Sequence, residues 1–237
     1  MTKDRTAYPR SLLRDYLQWD TGTWARALSH WDGVLGQRRL KGCEALDLGA
    51  RDGGLTLYLA QKGMRVVCSD LEGPSPLAHE LHARHGIGGQ VTYAQVDATA
   101  IPFADGSFDV VVFKSLLGGI GACGGLAAMR TAVGEMLRVL RPGGVLLFAE
   151  NQRASLLHRT ARRLFVPWGR SWHYASVREL EDMLAPFACF ELRTHGFLAC
   201  FCKDFPPFLF LDRLACGLLR PQWRYVAFGH AVREGEL

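Results

Sequence analysis

Two aspartates, Asp47 and Asp70, stand near the ends of short apolar runs, 70 − 47 = 23 positions apart. The first run, Ala45-Leu46-Asp47-Leu48, passes into Gly49-Ala50-Arg51-Asp52-Gly53-Gly54; the second is Arg65-Val66-Val67-Cys68-Ser69. A carboxylate at the tip of a second strand, about 20 residues beyond a glycine turn, is placed to accept hydrogen bonds from ribose hydroxyls. Gly49 and Gly53 bracket a turn where a ligand can approach the backbone, because glycine has no Cβ to block it. Glycine turns after strands are common by themselves. The second acid is what points this one at a nucleotide. For proton transfer the chain offers His158, His173, His195 and Glu150. A histidine among aromatics, as His173 is between Trp172 and Tyr174, is also an ordinary packed or exposed loop residue.

Hydrophobic periodicity supplies the elements that must hold these groups. Strands are expected at 44–48, 65–69, 91–96, 108–113 and 145–149, with helices at 54–62, 76–85 and 127–140 between them. Pro76 opens its helix in the first turn, and Arg141-Pro142-Gly143-Gly144 reads as the close of the last helix. The alternation implies right-handed crossovers and a parallel sheet. A helix at 177–184 and strands at 190–198 and 224–231 follow. Closely spaced late strands pair antiparallel at a sheet edge. The expected fold is α/β: a Rossmann-like seven-stranded, mostly parallel sheet with helices on both faces and an antiparallel edge strand.

Residues 1–40 precede this alternation. Leu12, Leu13, Tyr16, Leu17, Trp24, Leu28 and Trp31 recur at helical spacings, giving two short helices broken near Thr21-Gly22-Thr23. They are read as a helical lid on a domain spanning 41–237; the alternative is that their aromatics fill core. Residues 151–176 are read as an insertion on the substrate side. Within it, 154–165 forms a basic amphipathic helix, with Leu157, Ala161, Leu164 and Phe165 on one face and Arg159, Arg162 and Arg163 on another. Such arginines can receive a carboxylate or phosphate or touch an anionic membrane surface. The plain alternative is a lid helix with a solvated face. The apolar run Phe205-Pro206-Pro207-Phe208-Leu209-Phe210-Leu211 walls a pocket, packs as core or forms a dimer face.

Composition narrows the function classes. With 237 residues, 49% of them hydrophobic, the chain suits one α/β domain with an elaboration. Its net charge of +5 is local: 151–178 holds six arginines and no acid, leaving 5 − 6 = −1 for the rest. That argues for a site or surface and against a nucleic-acid partner. No apolar run approaches the roughly 20 residues that span a bilayer, and Met1-Thr2-Lys3-Asp4-Arg5 begins no apolar leader. Seven cysteines without framework spacing read as reduced thiols in the cytoplasm, with no metal site.

Over 44–150 the chain resembles the class I S-adenosylmethionine-dependent methyltransferases, in their small-molecule branch. The segment from Ala45 to Leu55 is similar to the family's first motif, and Asp70 to its ribose-binding acid. Val96-Asp97-Ala98 resembles the adenine segment, and the run from Ile101 to Val111 the approach to strand four. The run from Glu135 to Gly144 is similar to the helix and turn before strand five. The resemblance implies S-adenosylmethionine as cofactor, held by Asp47, Gly49, Arg51, Gly53, Asp70, Leu71, Asp97 and Ala98. Lys114, Ser115 and Leu116 would line the sulfonium and methyl, and the substrate segment would follow strand five. His173 is then the favoured catalytic base, for an oxygen nucleophile on a small, anionic or aromatic acceptor. One departure stands out: Arg51 occupies a position where the family usually has glycine. If that backbone is left-handed, arginine costs about 1–2 kcal/mol there. A degenerate domain that binds without catalysis therefore remains open. An NAD-type oxidoreductase fits less well, since Arg51 breaks the G-x-G-x-x-G pattern.

Overall fold

The computed structural model describes residues 8–201 and 206–235. Met1–Arg5, Cys202 and Phe205 from the sequence reading lie outside them. Seven strands form one sheet: β1 (Glu44–Leu48), β2 (Arg65–Asp70), β3 (Val91–Gln95), β4 (Phe108–Lys114), β5 (Leu140–Asn151), β6 (Cys189–His195) and β7 (Val226–Val232). Their order is β3-β2-β1-β4-β5-β7-β6. The first five pair in parallel. β7 runs against both its neighbours, inserted between β5 and the edge strand β6. The helices are α1 (Arg10–Leu17), α2 (Thr21–Leu35), α3 (Gly54–Ala60), α4 (Pro76–Arg84), α5 (Leu117–Val139), α6 (Leu156–Phe165), α7 (Val177–Leu184) and α8 (Pro206–Leu218).

Alternation along the central strands sends side chains to two apolar layers. Val110, Val112, Val145 and Leu147 meet Trp24, Leu28, Trp31 and Tyr58 on one face. Val111, Phe113, Leu146 and Phe148 meet Met129, Val133, Met136 and Leu180 on the other. Burial on both faces explains why these strands read as continuous apolar runs. Trp31 also donates its indole N–H to the Gly229 carbonyl at 2.9 Å, fastening α2 to β7. Thus α2 is part of the core layer.

Three expectations are corrected by tertiary contacts. The break in the N-terminal helices falls at Gln18–Asp20, not at Thr21-Gly22-Thr23: Gln18 (φ 67) and Asp20 (φ 45) are left-handed. α5 begins ten residues before the expected Ala127, at Leu117, and kinks at Gly125 (φ 64, ψ −162). Its glycine-rich first half has low intrinsic propensity, so the sequence did not announce it. β5 absorbs Arg141-Pro142-Gly143-Gly144, which was expected to be a turn. Arg141 ion-pairs with Asp109 at 2.5 Å, and the Arg233 N–H donates to Gly144 at 2.9 Å, holding that segment extended.

The sheet order reverses between β1 and β4. Connections from β1 go one way to β2 and β3, and from β4 the other way to β5. Ligands of open α/β sheets bind at the carboxyl ends of the strands flanking such a point.

Candidate active site

A cavity of about 1200 Å³ opens at that switch point. It is larger than a typical small-ligand pocket of about 300–1,000 Å³, with room for two molecules. Its walls come from the β1 loop, the tips of β2 and β4, the segment after β3, the start of α5 and the α1–α2 corner.

Asp47 is almost wholly buried at the base, accepting from Thr56 Oγ1 at 2.7 Å. Burial pushes its carboxyl up to about 7. Asp70, at the tip of β2, accepts the Arg51 N–H on Oδ2 at 3.0 Å and the Leu71 N–H on Oδ1 at 2.8 Å. Those amides fix the carboxylate and pin the β1 loop beside it. Asp97 accepts from the Thr99 N–H and hydroxyl on Oδ1 at 2.8 and 2.7 Å, which hold it below the usual carboxylate range. Buried Val96 and Ala98 flank it with apolar surface.

Across the cleft, Lys114 ends β4. Its Nζ donates to the Leu17 carbonyl at 3.1 Å and sits 3.1 Å from the Trp19 ring centroid. Burial pulls its ammonium down to about 7. Ser115 follows with φ 53; its N–H donates to Ala149 at 2.8 Å, and its Oγ accepts from Asn151 Nδ2 at 2.9 Å. Glu150 Oε2 accepts the Leu116 and Leu117 N–H groups at 2.8 and 2.7 Å, so this buried acid anchors the turn into α5. Burial raises it to about 7, against the lowering effect of the amides.

Asp47, Gly49, Arg51, Asp70, Leu71, Asp97, Ala98, Lys114 and Ser115 therefore share one wall system. Gly53 does not line it. Its carbonyl meets His82 Nε2 at 2.9 Å behind the loop, with His82 Nδ1 on the Tyr93 hydroxyl. His173 lies outside the lining. It packs against Gly121 and bonds Gly118 through its N–H at 3.0 Å, while its neighbour Trp172 faces the cavity. His158 hydrogen-bonds the Phe197 carbonyl at 2.8 Å, remote from the cavity. Arg170 donates to the Arg163 carbonyl at 3.0 Å, and among the described residues of 151–178 only Asn151 and Trp172 line the cavity.

Sequence reasoning missed Trp19. It lies in the left-handed corner between α1 and α2, with Lys114 over its ring and the Arg51 guanidinium 5.9 Å from its centroid. Gly54 was also missed. A Cβ there would strike the carbonyl oxygens of Asp15 and Tyr16, so this glycine lets α1 press its backbone onto α3. Two groups of metal-ligand type converge away from the cavity, His30–Glu191–His230 and His195–Asp212–Cys216. The first holds a His30–His230 hydrogen bond of 3.0 Å, and Asp212 in the second accepts the Phe197 N–H at 2.7 Å.

Residues 46–148 match the family model described as "Methyltransferase domain". The chain is 32% identical over 113 residues to the ubiquinone/menaquinone biosynthesis C-methyltransferase UbiE of Shewanella piezotolerans, covering 46% of this chain and 43% of that protein. It is 37% identical over 107 residues to the demethylmenaquinone methyltransferase of Thermus thermophilus, covering 44% and 46%. The chain thus spans about half the length of these curated relatives. In fold it is similar to Haemonchus contortus phosphoethanolamine N-methyltransferase 2 in complex with S-adenosyl-L-methionine. That likeness has TM-score 0.64 and 20% identity, covering 98% of this chain and 59% of the other. It is also similar to the [4+2]-cyclase SpnF, with TM-score 0.59 and 17% identity over 90% and 83%.

Over residues 46–148 the chain is thus similar to a methyltransferase domain, on the fold shared with those solved structures. The cofactor this family implies is S-adenosylmethionine, and the cleft fits it. Gly49 (φ 68) opens the loop: a Cβ there would come within 2.9 Å of Leu116 Cδ1. Asp70 presents a carboxylate already oriented by two amides. Asp97 engages Thr99 through Oδ1, leaving Oδ2 for a donor.

Proposed function

We propose that the protein transfers a methyl group from S-adenosylmethionine to a small acceptor. The observation carrying this reading is the convergence of the β1 loop, Asp70 and Asp97 in one cavity, over the segment that matches the methyltransferase domain. Asp70 would accept from the ribose hydroxyls, Asp97 from the adenine amino group, and the Gly49–Arg51 backbone would hold the methionine portion. When bound, the cofactor supplies a methyl on a sulfonium for in-line displacement, and the positive charge on sulfur disappears as the new bond forms.

For the acceptor we propose an enol or phenol class, in which oxygen and the adjacent carbon are both nucleophilic after deprotonation. Oxygen is the atom expected from the sequence; the names of the curated relatives favour carbon. Lys114 is the base we favour, because it lines the cavity and burial keeps a share of it neutral near pH 7. Its amine takes the acceptor's proton while the acceptor's electron pair forms the bond to carbon. His173 is the second reading: its Nε2 is buried without a hydrogen-bond partner among the described residues. Trp19 lines the cavity, and the lid role read for residues 1–40 is assigned in this proposal to the 18–20 corner. No described helix is long and apolar enough to cross a membrane. A cytoplasmic setting is the reading supported by seven cysteines without disulfide-framework spacing.

Calorimetry with S-adenosylhomocysteine tests the cofactor reading. Asp70→Ala is expected to weaken binding at least tenfold, since two hydrogen bonds to a charged acceptor, about 1.5–3 kcal/mol each, are lost. No binding by the wild type, or tight NAD binding, would refute it. A metabolite screen with a ¹³C-labelled methyl then separates O- from C-methyl products by chemical shift.

A further inference from the structure

Helix α6 is amphipathic and docked the wrong way round for a core helix. Its rows at spacing four are Leu156–Thr160–Leu164, Leu157–Ala161–Phe165, His158–Arg162 and Arg159–Arg163. The row facing inward is the polar one. His158 is buried, and Arg162 donates to the Gln152 carbonyl at 2.7 Å and covers the Tyr174 ring at 4.0 Å. Leu156, Leu157, Leu164 and Phe165 are 73, 55, 60 and 78% exposed. Their apolar surface meets no protein layer among the described residues.

A second apolar row lies nearby on α8, where Leu211, Leu214 and Leu218 are exposed at spacings three and four. Residues 197–201 tie the two helices together. His158 of α6 packs on Phe201 at 5.3 Å between ring centroids, and Asp212 of α8 accepts the Phe197 N–H at 2.7 Å. Arg159, Arg163, Arg170 and Arg220 are exposed, and none forms an ion pair with a described acid.

We propose that this face, α6 with the exposed row of α8, docks onto an anionic lipid bilayer surface. Two apolar rows bordered by arginines are the arrangement that sinks into a headgroup layer while its cations meet phosphate. A second copy of the chain fits less well, because a twofold contact would set two clusters of like charge against each other. α6 and the turn after it are bracketed by Asn151 and Trp172, both of which line the cavity. Delivery of an apolar acceptor from the bilayer rests on the methyl-transfer reading; the docking itself does not.

The test is vesicle co-sedimentation of the full chain, with phosphatidylcholine alone and with phosphatidylcholine plus phosphatidylglycerol. Binding is expected to the mixed vesicles, to fall with salt, and to be weak on phosphatidylcholine alone. Leu164→Gln with Phe165→Gln is expected to reduce it at least roughly tenfold, since two apolar side chains lose their burial in the bilayer. Arg159→Gln with Arg163→Gln is expected to reduce it by roughly fivefold or more per arginine. All four positions are exposed and outside the cavity lining, so S-adenosylhomocysteine affinity and melting temperature should not change. No binding to anionic vesicles, or binding indifferent to both pairs, would overturn the proposal. So would a wild-type dimer, without vesicle binding, that the Leu164/Phe165 pair returns to monomer. Loss of cofactor binding in the wild type would count against methyl transfer alone.

Discussion

Replacing Arg51 by glycine isolates the strain in the cofactor loop. Arg51 has φ 50, a conformation that costs an L-residue about 1–2 kcal/mol and glycine almost nothing. Against that gain, glycine enlarges the unfolded ensemble, which costs about 0.4–1 kcal/mol. The lost side-chain contacts are weak. The guanidinium is 5.9 Å from the Trp19 centroid and 3.9 Å from Asp52, on a side chain that is 69% exposed. Arg51→Gly should therefore be more stable by about 0.5–1 kcal/mol, raising Tm by roughly 1–4 °C for a chain of this size. Arg51→Ala is the control. It loses the same side-chain contacts but keeps a Cβ at the left-handed position, so its Tm should match the wild type or fall slightly. Thermal scans of the three proteins by circular dichroism read the difference. If alanine gains as much as glycine, the side-chain charge is responsible and the backbone reasoning is refuted. Titrating S-adenosylhomocysteine into the same samples addresses degeneracy. Affinities within an order of magnitude of the wild type are expected, whereas a larger gain in both variants would mean that Arg51 obstructs the cleft.

Three other outcomes follow from the geometry. Gly54→Ala forces a Cβ against the Asp15 and Tyr16 carbonyls; overpacking of this kind costs about 1–3 kcal/mol, visible as a lower denaturation midpoint in urea. Lys114 is depressed to about 7 by burial, so between that value and its unfolded pKa the unfolded chain binds the extra proton and stability rises with pH. Lys114→Met should remove this rise, read by denaturation at pH 7 and pH 9, and should also abolish the increase of turnover through neutral pH. Trp19→Ala removes the ring under Lys114 at the cavity mouth. It should weaken S-adenosylhomocysteine binding and raise the apparent pKa of the turnover profile, because solvent reaches the amine.

Much of the fold was legible because each central strand is buried on both faces and each acid sits at a strand tip. Asp47 and Asp70 could be placed from spacing, and Asp97 from the family resemblance. The glycine-rich start of α5 was not, since its helicity comes from packing and from the Glu150 anchor rather than propensity. Periodicity found the apolar stripe of α6 but carries no information on which side faces the protein; that depends on His158 and Arg162 finding partners 30 or more positions away, such as Phe197 at 39, or within the segment. His173 was chosen for its position after β5, and one residue of register decides that Trp172 faces the cavity instead. Trp19 escaped notice because its place depends on two left-handed residues with no glycine to mark them.

The reversal of strand order has a consequence for assembly. Asp70, Asp97 and the loop they accompany come from the β1–β3 half, while Lys114 and Ser115 come from the other, where Asn151 of β5 holds Ser115 and Glu150 holds the Leu116 and Leu117 amides that follow. Neither half contains a complete binding surface. A folding intermediate with only the first three strands ordered would have Asp70 and Asp97 but no opposite wall. Ligand capture is then a late event, reporting that β5 has zipped against β4. A bound ligand would in turn act as a clamp across the seam, adding its binding free energy to the cohesion of the whole sheet.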